Sequence, residues 1–331
     1  MEAHRGPDRN LAMELVRTTE YAALACARWI GRGDKEGADG AAVDAMRMLL
    51  DTVSMDGVVV IGEGEKDEAP MLYNGEQIGD GTAPQVDVAV DPLEGTELCA
   101  KGLPNAIATI ALSERGTMFD PGPCVYMMKM ATSRDLAPLL DLDRPLAETL
   151  TLMAKEKGVA VGDLVVIMLD RPRHEEAMAE IRAVGARIRL IPHGDVSAAL
   201  AAVTEGSSVD LLWGIGGTPE GVLAAAAIQC TGGQILGRLW PRSDEERKAA
   251  LEAGYDLEEV LDKDRLVSGN DVFFAATGVT DGELLDGVHY RGPQGATTES
   301  VSMRSRSGTV RRIVARHDRA KLREITGERL G

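Results

Sequence analysis

The sequence predicts an α/β fold with a partly parallel sheet in its second half. Three observations carry that expectation. Between residues 164 and 229, short apolar runs alternate with helix-period segments, the pattern of β-α-β units. Strand-like runs end in acids or in glycine-acid clusters, and ligands of open α/β sheets gather at the carboxyl ends of strands. The 331 residues include 37 glycines, which allow tight turns and close approach of backbone to a ligand.

In chain order, Asp8 to Ile30 carries Leu11, Leu15, Thr19, Ala22 and Cys26 at helical spacing, and Gly31-Arg32-Gly33 stops that helix. A second helix follows Asp39, which reads equally as its N-cap, with Val43, Met46, Leu50 and Val53 on one face. Val58–Ile61 is a strand running into Gly62-Glu63-Gly64-Glu65. Val86–Val90 alternates and reaches Asp91-Pro92, where proline is expected to stop the ladder. Asn105–Leu112 is a third strand. Leu164–Leu169, Arg187–Ile191 and Val209–Trp213 then read as strands, separated and followed by helices over Glu175–Val184, Val196–Thr204 and Gly221–Gln229. Thr298–Arg304 and Thr309–Val314 flank Ser307-Gly308 as a hairpin. A boundary near Lys157-Gly158 divides the chain into lobes 1–157 and 158–331, expected to act as one catalytic unit.

Composition narrows the function. Lys and Arg number 36 against 53 Asp and Glu, giving a net charge of −17. Such a chain lacks the basic footprint of a nucleic-acid binder, and with 3% aromatics it lacks stacking platforms for single strands. No apolar run approaches the length of a membrane span, and the polar N-terminus reads as no signal peptide. Cys26, Cys99, Cys124 and Cys230 form neither Cys-x-x-Cys nor zinc spacing, so a reduced, cytoplasmic protein is expected.

Asp91-Pro92-Leu93-Glu94-Gly95-Thr96 is the sharpest motif. A strand delivers Asp91 to its carboxyl end, Glu94 adds a second acid, Gly95 lets backbone approach a phosphate, and Thr96 offers a hydroxyl. Hard divalent cations take oxygen ligands of this kind together with substrate phosphate. Gly62-Glu63-Gly64-Glu65-Lys66-Asp67-Glu68 places further acids on flexible backbone after another strand. It lacks the phosphate-cradling spacing of a P-loop. In Gly214–Gly221, Thr218 suits a cap, Pro219 the first helical position, and Glu220 the first turn, where an acid also complements the helix dipole. Pro219 occupies a position that a dinucleotide fingerprint reserves for glycine, which argues against a nicotinamide enzyme. Arg171-Pro172-Arg173-His174 and Pro192-His193-Gly194-Asp195 each follow a strand and open a helix, where anions bind readily. The basic stretch Arg304 to Arg316 reads as a solvated edge, and Arg32-Gly33-Asp34 as a chance tripeptide.

Taken together, these motifs resemble the class II fructose-1,6-bisphosphatase family, the GlpX type, over nearly the whole chain. The resemblance runs through Gly31–Lys35, Ala38–Val43, Val60–Glu65, Asp67–Leu72, Asp91–Thr96, Arg171–His174, Gly214–Gly221 and Ser268–Asp271. The Asp91–Thr96 element is also similar to the wider lithium-sensitive phosphatase superfamily, with Glu94 where Asp is usual.

The resemblance implies a layered α/β/α/β/α sandwich and a phosphoric monoester hydrolase of gluconeogenesis, cleaving the 1-phosphate of fructose 1,6-bisphosphate. It implies Mg²⁺ or Mn²⁺, two or more per active site, with Asp39 and Glu63 holding one and Asp91, Glu94 and Glu220 the other. Glu94, Gly95 and Thr96 would face the scissile phosphate, with Lys35 touching a phosphate. Tyr126, Arg171, Pro172, Arg173, His193, Gly194, Asp195 and Gly217 would line the sugar and distal phosphate. Thr96 is the candidate for orienting or deprotonating the attacking water, with Asp67 as its partner or general acid/base. Cations would invert the field of the clustered acids, whose pKa values would otherwise be raised. A homo-oligomer, dimer or tetramer, is also implied. His193 stands where the family usually carries an acid, leaving open a bifunctional fructose/sedoheptulose bisphosphatase. The clustered acids would equally suit an inositol-type monophosphatase, and the same fold could serve a silent sugar-phosphate sensor.

Overall fold

A computed structural model of the chain describes residues 11–63, 71–292, 295–318 and 320–321. Within them the chain begins with α1 (Leu11–Cys26), α2 (Lys35–Leu50), β1 (Asp56–Ile61), β2 (Gln77–Ile78), β3 (Gln85–Glu94), α3 (Thr96–Lys101) and β4 (Ile107–Glu114). Its middle comprises β5 (Tyr126–Thr132), α4 (Leu146–Lys157), β6 (Val165–Leu169), α5 (Glu175–Ala183), β7 (Arg187–Ile191), α6 (Asp195–Val203), β8 (Leu211–Gly217), α7 (Thr218–Thr231) and β9 (Gln234–Leu239). It closes with α8 (Asp244–Glu252), β10 (Leu261–Asp262), α9 (Lys263–Leu266), β11 (Phe273–Gly278), β12 (His289–Tyr290), β13 (Ala296–Arg304) and β14 (Thr309–His317).

Two mixed sheets result. The first runs β12-β13-β11-β4-β3-β1-β2, with β14 paired to β13; the second runs β10-β9-β5-β8-β6-β7. In the second, β6 is parallel to β7 and β8, as the β-α-β alternation predicts, while β5 enters antiparallel between β8 and β9. The sheets part between β4 and β5 and again between β10 and β11. Residues 157 and 158 lie at the end of α4, where Gly158 caps the helix with φ +67°.

Burial stacks these elements in five layers. Val86, Val88 and Val90 of β3 and Ile110 and Leu112 of β4 pack with α1 and α2 on the outer face of the first sheet. Ala89, Ala111 and Phe274 turn to its other face and meet α6, α7 and Ile167, Leu212 and Ile235 of the second sheet. Leu150 and Met153 of α4 and Met178 and Ile181 of α5 cover the far face against Val166 and Met168. Alternate side chains of one strand therefore fill two different cores. Helix α7 lies between the sheets and is apolar all round, its Ala224–Ala227 run letting both sheets approach closely. The α/β/α/β/α expectation holds.

Some local expectations change. Helix α2 begins at Lys35, because Asp34, not Asp39, accepts the first-turn amide of Gly37 at 2.8 Å. Asp39 thereby becomes a second-turn residue free to face inward. Strand β3 continues through Pro92 to Glu94: three residues from Asp91 span what two cover on β4, and that irregularity absorbs the missing N–H. Strand β4 begins only at Ile107, after Asn105 takes left-handed backbone at φ +76°. At α7, Gly217 holds the cap position, while the Thr218 hydroxyl donates to the Cys124 carbonyl at 3.0 Å. The β13–β14 hairpin forms and extends to His317.

Candidate active site

The carboxyl ends of β1, β3, β6 and β8 meet at a cleft of about 510 Å³. Asp39 reaches it from α2, Glu63 from the end of β1, Asp91 and Glu94 from the end of β3, and Glu220 from the first turn of α7. Gly95 and Thr96 open α3 beside them. The second sheet contributes Tyr126, Arg171, Arg173, His193, Gly194, Asp195 and Gly217, and Lys35 closes the rim. Of the residues singled out from sequence, Pro172 does not line the cleft but begins the short turn that aims Arg173. Asp67 lies outside the described residues.

Local backbone sets this arrangement. After β1, Gly62 passes so close to the Leu72 carbonyl that a Cβ would lie 1.9 Å from its oxygen, and Glu63 N–H then donates to the same carbonyl at 2.8 Å. Gly95 turns the chain at φ +83°, which brings Thr96 to the start of α3. The Thr96 hydroxyl lies 3.2 Å from the Leu93 carbonyl and 3.5 Å from Asp39 Oδ1. Helix α6 has Gly194 at its cap position and no side-chain cap of its own. Glu94, 4% exposed, supplies it from the opposite sheet, accepting from Val196 N–H at 2.5 Å and Ser197 N–H at 3.2 Å.

The acids raise one another's pKa. Burial pushes Glu63 up to about 7, reinforced by Asp39 and Glu220. Burial, then Glu63, Glu94, Glu220 and Asp39, hold Asp91 well above the usual range. Glu94 reaches about 8 through burial, although the Val196 amide opposes this. Glu220 is raised by burial against the pull of Lys129, and Asp39 by burial against its Thr96 contact. Among the described residues, no three His, Cys, Asp or Glu side chains stand close enough to ligate one ion as they are placed. The acids share one cleft and one field rather than a closed cage.

The basic residues that line the cleft are tightly held. Arg171 donates to the carbonyls of Asp170 and Pro192 at 2.8 and 2.7 Å, joining two loops. Arg173 donates to the Ile215 carbonyl at 2.6 and 3.0 Å and lies 5.1 Å from the Tyr126 ring. That ring also faces Arg242 at 5.1 Å and stacks on Trp240. Glu97 draws in Lys35 at 2.8 Å and His193 at 3.3 Å, and with Lys101 and Lys35 beside it falls to about 2. Burial and Arg171 lower His193, keeping it neutral near pH 7.

Two more residues join this frame: His174, which the sequence offers only within the Arg171–His174 motif, and Lys129, which it does not single out. His174 is fully buried; its Nδ1 donates to the Leu169 carbonyl at 2.8 Å and its Nε2 accepts from Ile215 N–H at 2.9 Å. It thus staples β6 to β8 next to Arg173. Lys129, 2% exposed, stands in the apolar strand Tyr126–Thr132, and a lone charge in such a run was the available signal. Its ammonium meets Asp195 Oδ2 at 2.7 Å and the Gly217 carbonyl at 2.9 Å.

Comparison with known proteins agrees with this architecture. The family model described as "Bacterial fructose-1,6-bisphosphatase, glpX-encoded" matches residues 9–317. "Fructose-1,6-bisphosphatase 1 class 2" of Escherichia coli K12 is 44% identical over 322 residues, covering 93% of this chain and 95% of that protein. The class 2 enzymes of Escherichia coli O6:H1 and Shigella flexneri match to the same extent. With a family match spanning the cleft and nearly every element around it, the chain belongs to the glpX-encoded bacterial fructose-1,6-bisphosphatase family.

Proposed function

We propose that this protein is a phosphoric monoester hydrolase that cleaves the 1-phosphate of fructose 1,6-bisphosphate, releasing fructose 6-phosphate and inorganic phosphate. The observation that carries this is a cleft lined by both an acid cluster and basic side chains. Asp39, Glu63, Asp91, Glu94 and Glu220 crowd it, and Lys35, Arg171 and Arg173 line it with them. Crowded acids with raised pKa values favour cations, and the arginines favour a second, distal phosphate.

The residues fit divalent cations. The donor set is all oxygen, as Mg²⁺ and Mn²⁺ require, and the mutual repulsion of the acids is what such charge relieves. Asp39 and Glu63 would hold one ion, and Asp91, Glu94 and Glu220 another, after side-chain adjustment. Bound there, the ions would supply positive charge to the phosphoryl oxygens and acidify water in the cleft. Thr96, whose hydroxyl stands 3.2 Å from the Leu93 carbonyl and 3.5 Å from Asp39 Oδ1, orients the attacking water. Water adds at phosphorus, the bond to the sugar oxygen breaks, and the proton the water gives up passes through cleft water to that oxygen, leaving hydrogen phosphate and fructose 6-phosphate. Gly95 leaves room for the phosphate, and Tyr126 forms a flat wall for the sugar. The two halves of the chain act as one catalytic unit, because both sheets contribute to this cleft.

One observation favours a bifunctional enzyme that also accepts sedoheptulose 1,7-bisphosphate. A second hollow, of about 460 Å³, shares the lining residues His193 and Gly194 with the cleft, and supports this reading if a longer sugar extends past them. Among the described residues no helix is long and apolar enough to cross a membrane, and all four cysteines are free and buried. Both agree with a cytoplasmic enzyme. A homo-oligomer, carried over from the family, is tested by light scattering.

The deciding assay is phosphate release from fructose 1,6-bisphosphate, with and without Mn²⁺ or Mg²⁺, beside sedoheptulose 1,7-bisphosphate and inositol 1-phosphate. Metal-dependent release from the first is expected, and its ratio to the second measures the bifunctional reading. Preference for inositol 1-phosphate, or no release from any, overturns the proposal.

A further inference from the structure

Lys129 does not line the cleft, yet it touches both segments that bring acids into it. It projects from the middle of β5 and ranks among the largest fully buried side chains. An ammonium removed from water is retained only where its charge and donors are satisfied. Here Asp195 Oδ2 at 2.7 Å supplies the countercharge and the Gly217 carbonyl at 2.9 Å a second acceptor.

Each partner has a particular place. Asp195 is the first residue of α6, the helix whose next two N–H groups hold the Glu94 carboxylate. Gly217 ends β8, three residues before Glu220. The fit around Asp195 is close, since a Cβ on Gly216 would lie 2.1 Å from its Oδ2. One buried cation thus ties the α6 start to the β8 end, and each of these sets the position of an acid in the cleft.

We propose that Lys129, through Asp195 and the Gly217 carbonyl, is a positioning residue that fixes the spacing of Glu94 and Glu220 in the cleft. Asp195 then anchors α6 while it also lines the cleft. The proposal deepens the hydrolase reading and rests on it for its kinetic consequence, while its structural consequence stands independently.

The test uses two full-length variants. Lys129→Met with Asp195→Asn removes both charges with little change of volume, a replacement that buried ion pairs commonly tolerate. Gly216→Ala keeps both charges but drives the Asp195 carboxylate away from Lys129. Amide hydrogen exchange is followed in metal-free protein, and kinetics with Mn²⁺. Both variants are expected to unfold cooperatively, with exchange at Val196 and Ser197 faster by about tenfold or more and exchange in β13 unchanged. Their kcat is expected to fall about 30-fold while KM moves less than about threefold. Wild-type exchange at Val196 and Ser197 in either folded variant, or kcat within about twofold of wild type in both, overturns the proposal. So does uniform acceleration across all amides, which marks global destabilisation. If wild type releases no phosphate from fructose 1,6-bisphosphate, the functional reading fails while the exchange result still decides the role of Lys129.

Discussion

Loading the metal-free protein with Mn²⁺ at pH 7 is expected to expel protons, in a number set by the site. With Glu63 at about 7 and Glu94 at about 8, the two carboxyls hold about half and about nine-tenths of a proton at pH 7. Asp91 lies well above its usual range and adds to this. Ligation requires the deprotonated acids, so at least about 1.4 protons should leave per site as it fills. The assay is titration calorimetry of Mn²⁺ into metal-free protein in PIPES, imidazole and Tris, which differ in ionisation enthalpy. The slope of observed heat against that enthalpy counts protons. The slope should shrink at pH 9, where the acids are already ionised, and Glu63→Gln should lower it at pH 7 by about half a proton. Linkage gives the companion sign. A raised carboxyl pKa contributes stability that is full below the unfolded value of about 4.5 and is lost as pH rises through 7 and 8. Metal-free protein should therefore melt lower at pH 8.5 than at pH 6, with Mn²⁺ reversing the order. Tight Mn²⁺ binding with a slope near zero at pH 7 would refute the picture of mutually repelling, partly protonated acids.

Three further outcomes follow from the same geometry. Gly217→Ala places a Cβ 1.7 Å from Glu220 Oε2, so the flexible carboxylate must swing away; turnover should fall at least about tenfold with Tm changed by no more than about 3 °C, and activity near wild type would mean Glu220 is not needed where it stands. Thr96→Ala should reduce kcat by about a hundredfold or more while Mn²⁺ affinity stays within about threefold, and the reverse pattern would place Thr96 in metal binding instead. Burial lowers the pKa of His174, so its contribution to stability is complete above about 6.5 and is lost as pH falls through its lower folded value; the stability gap between wild type and His174→Gln, followed by urea unfolding, should narrow from pH 7.5 to pH 5, and a gap independent of pH would remove the buried neutral imidazole as its cause.

Legibility in the sequence tracks the range of the interaction responsible. Strands β1, β3, β6 and β8 are readable because each keeps its apolar period to its end and then presents a glycine or acid, and β7 by its alternation before Pro192. Those ends are also where Glu63, Asp91 and Glu94 enter the cleft. Strand β5 is not readable this way: Lys129 interrupts its apolar run, and what satisfies that charge lies 66 residues away at Asp195 and further still at Gly217. The start of α2 escapes the sequence for a more local reason. Asp34 and Asp39 are equally good caps by type, and only the backbone, extended at Asp34 with ψ 95°, decides between them. Pro92 misleads because a missing N–H ends a regular ladder but not one with a bulge at that point.

These cases share a consequence for the site itself. Glu94 is legible as an acid at a strand end, but its oxygens are held by amides of α6, which the sequence places about a hundred residues downstream. Its orientation therefore depends on the contact between two sheets and not on its own motif. The same holds for Glu220, whose helix starts at the end of a strand tied down by Lys129 from β5. A motif of six residues can supply the acids and the hydroxyl, but bringing them to a common cleft requires the layer between the sheets. Substitutions in α6 and β5 should accordingly disturb catalysis before they disturb the first sheet, where most of the acids reside.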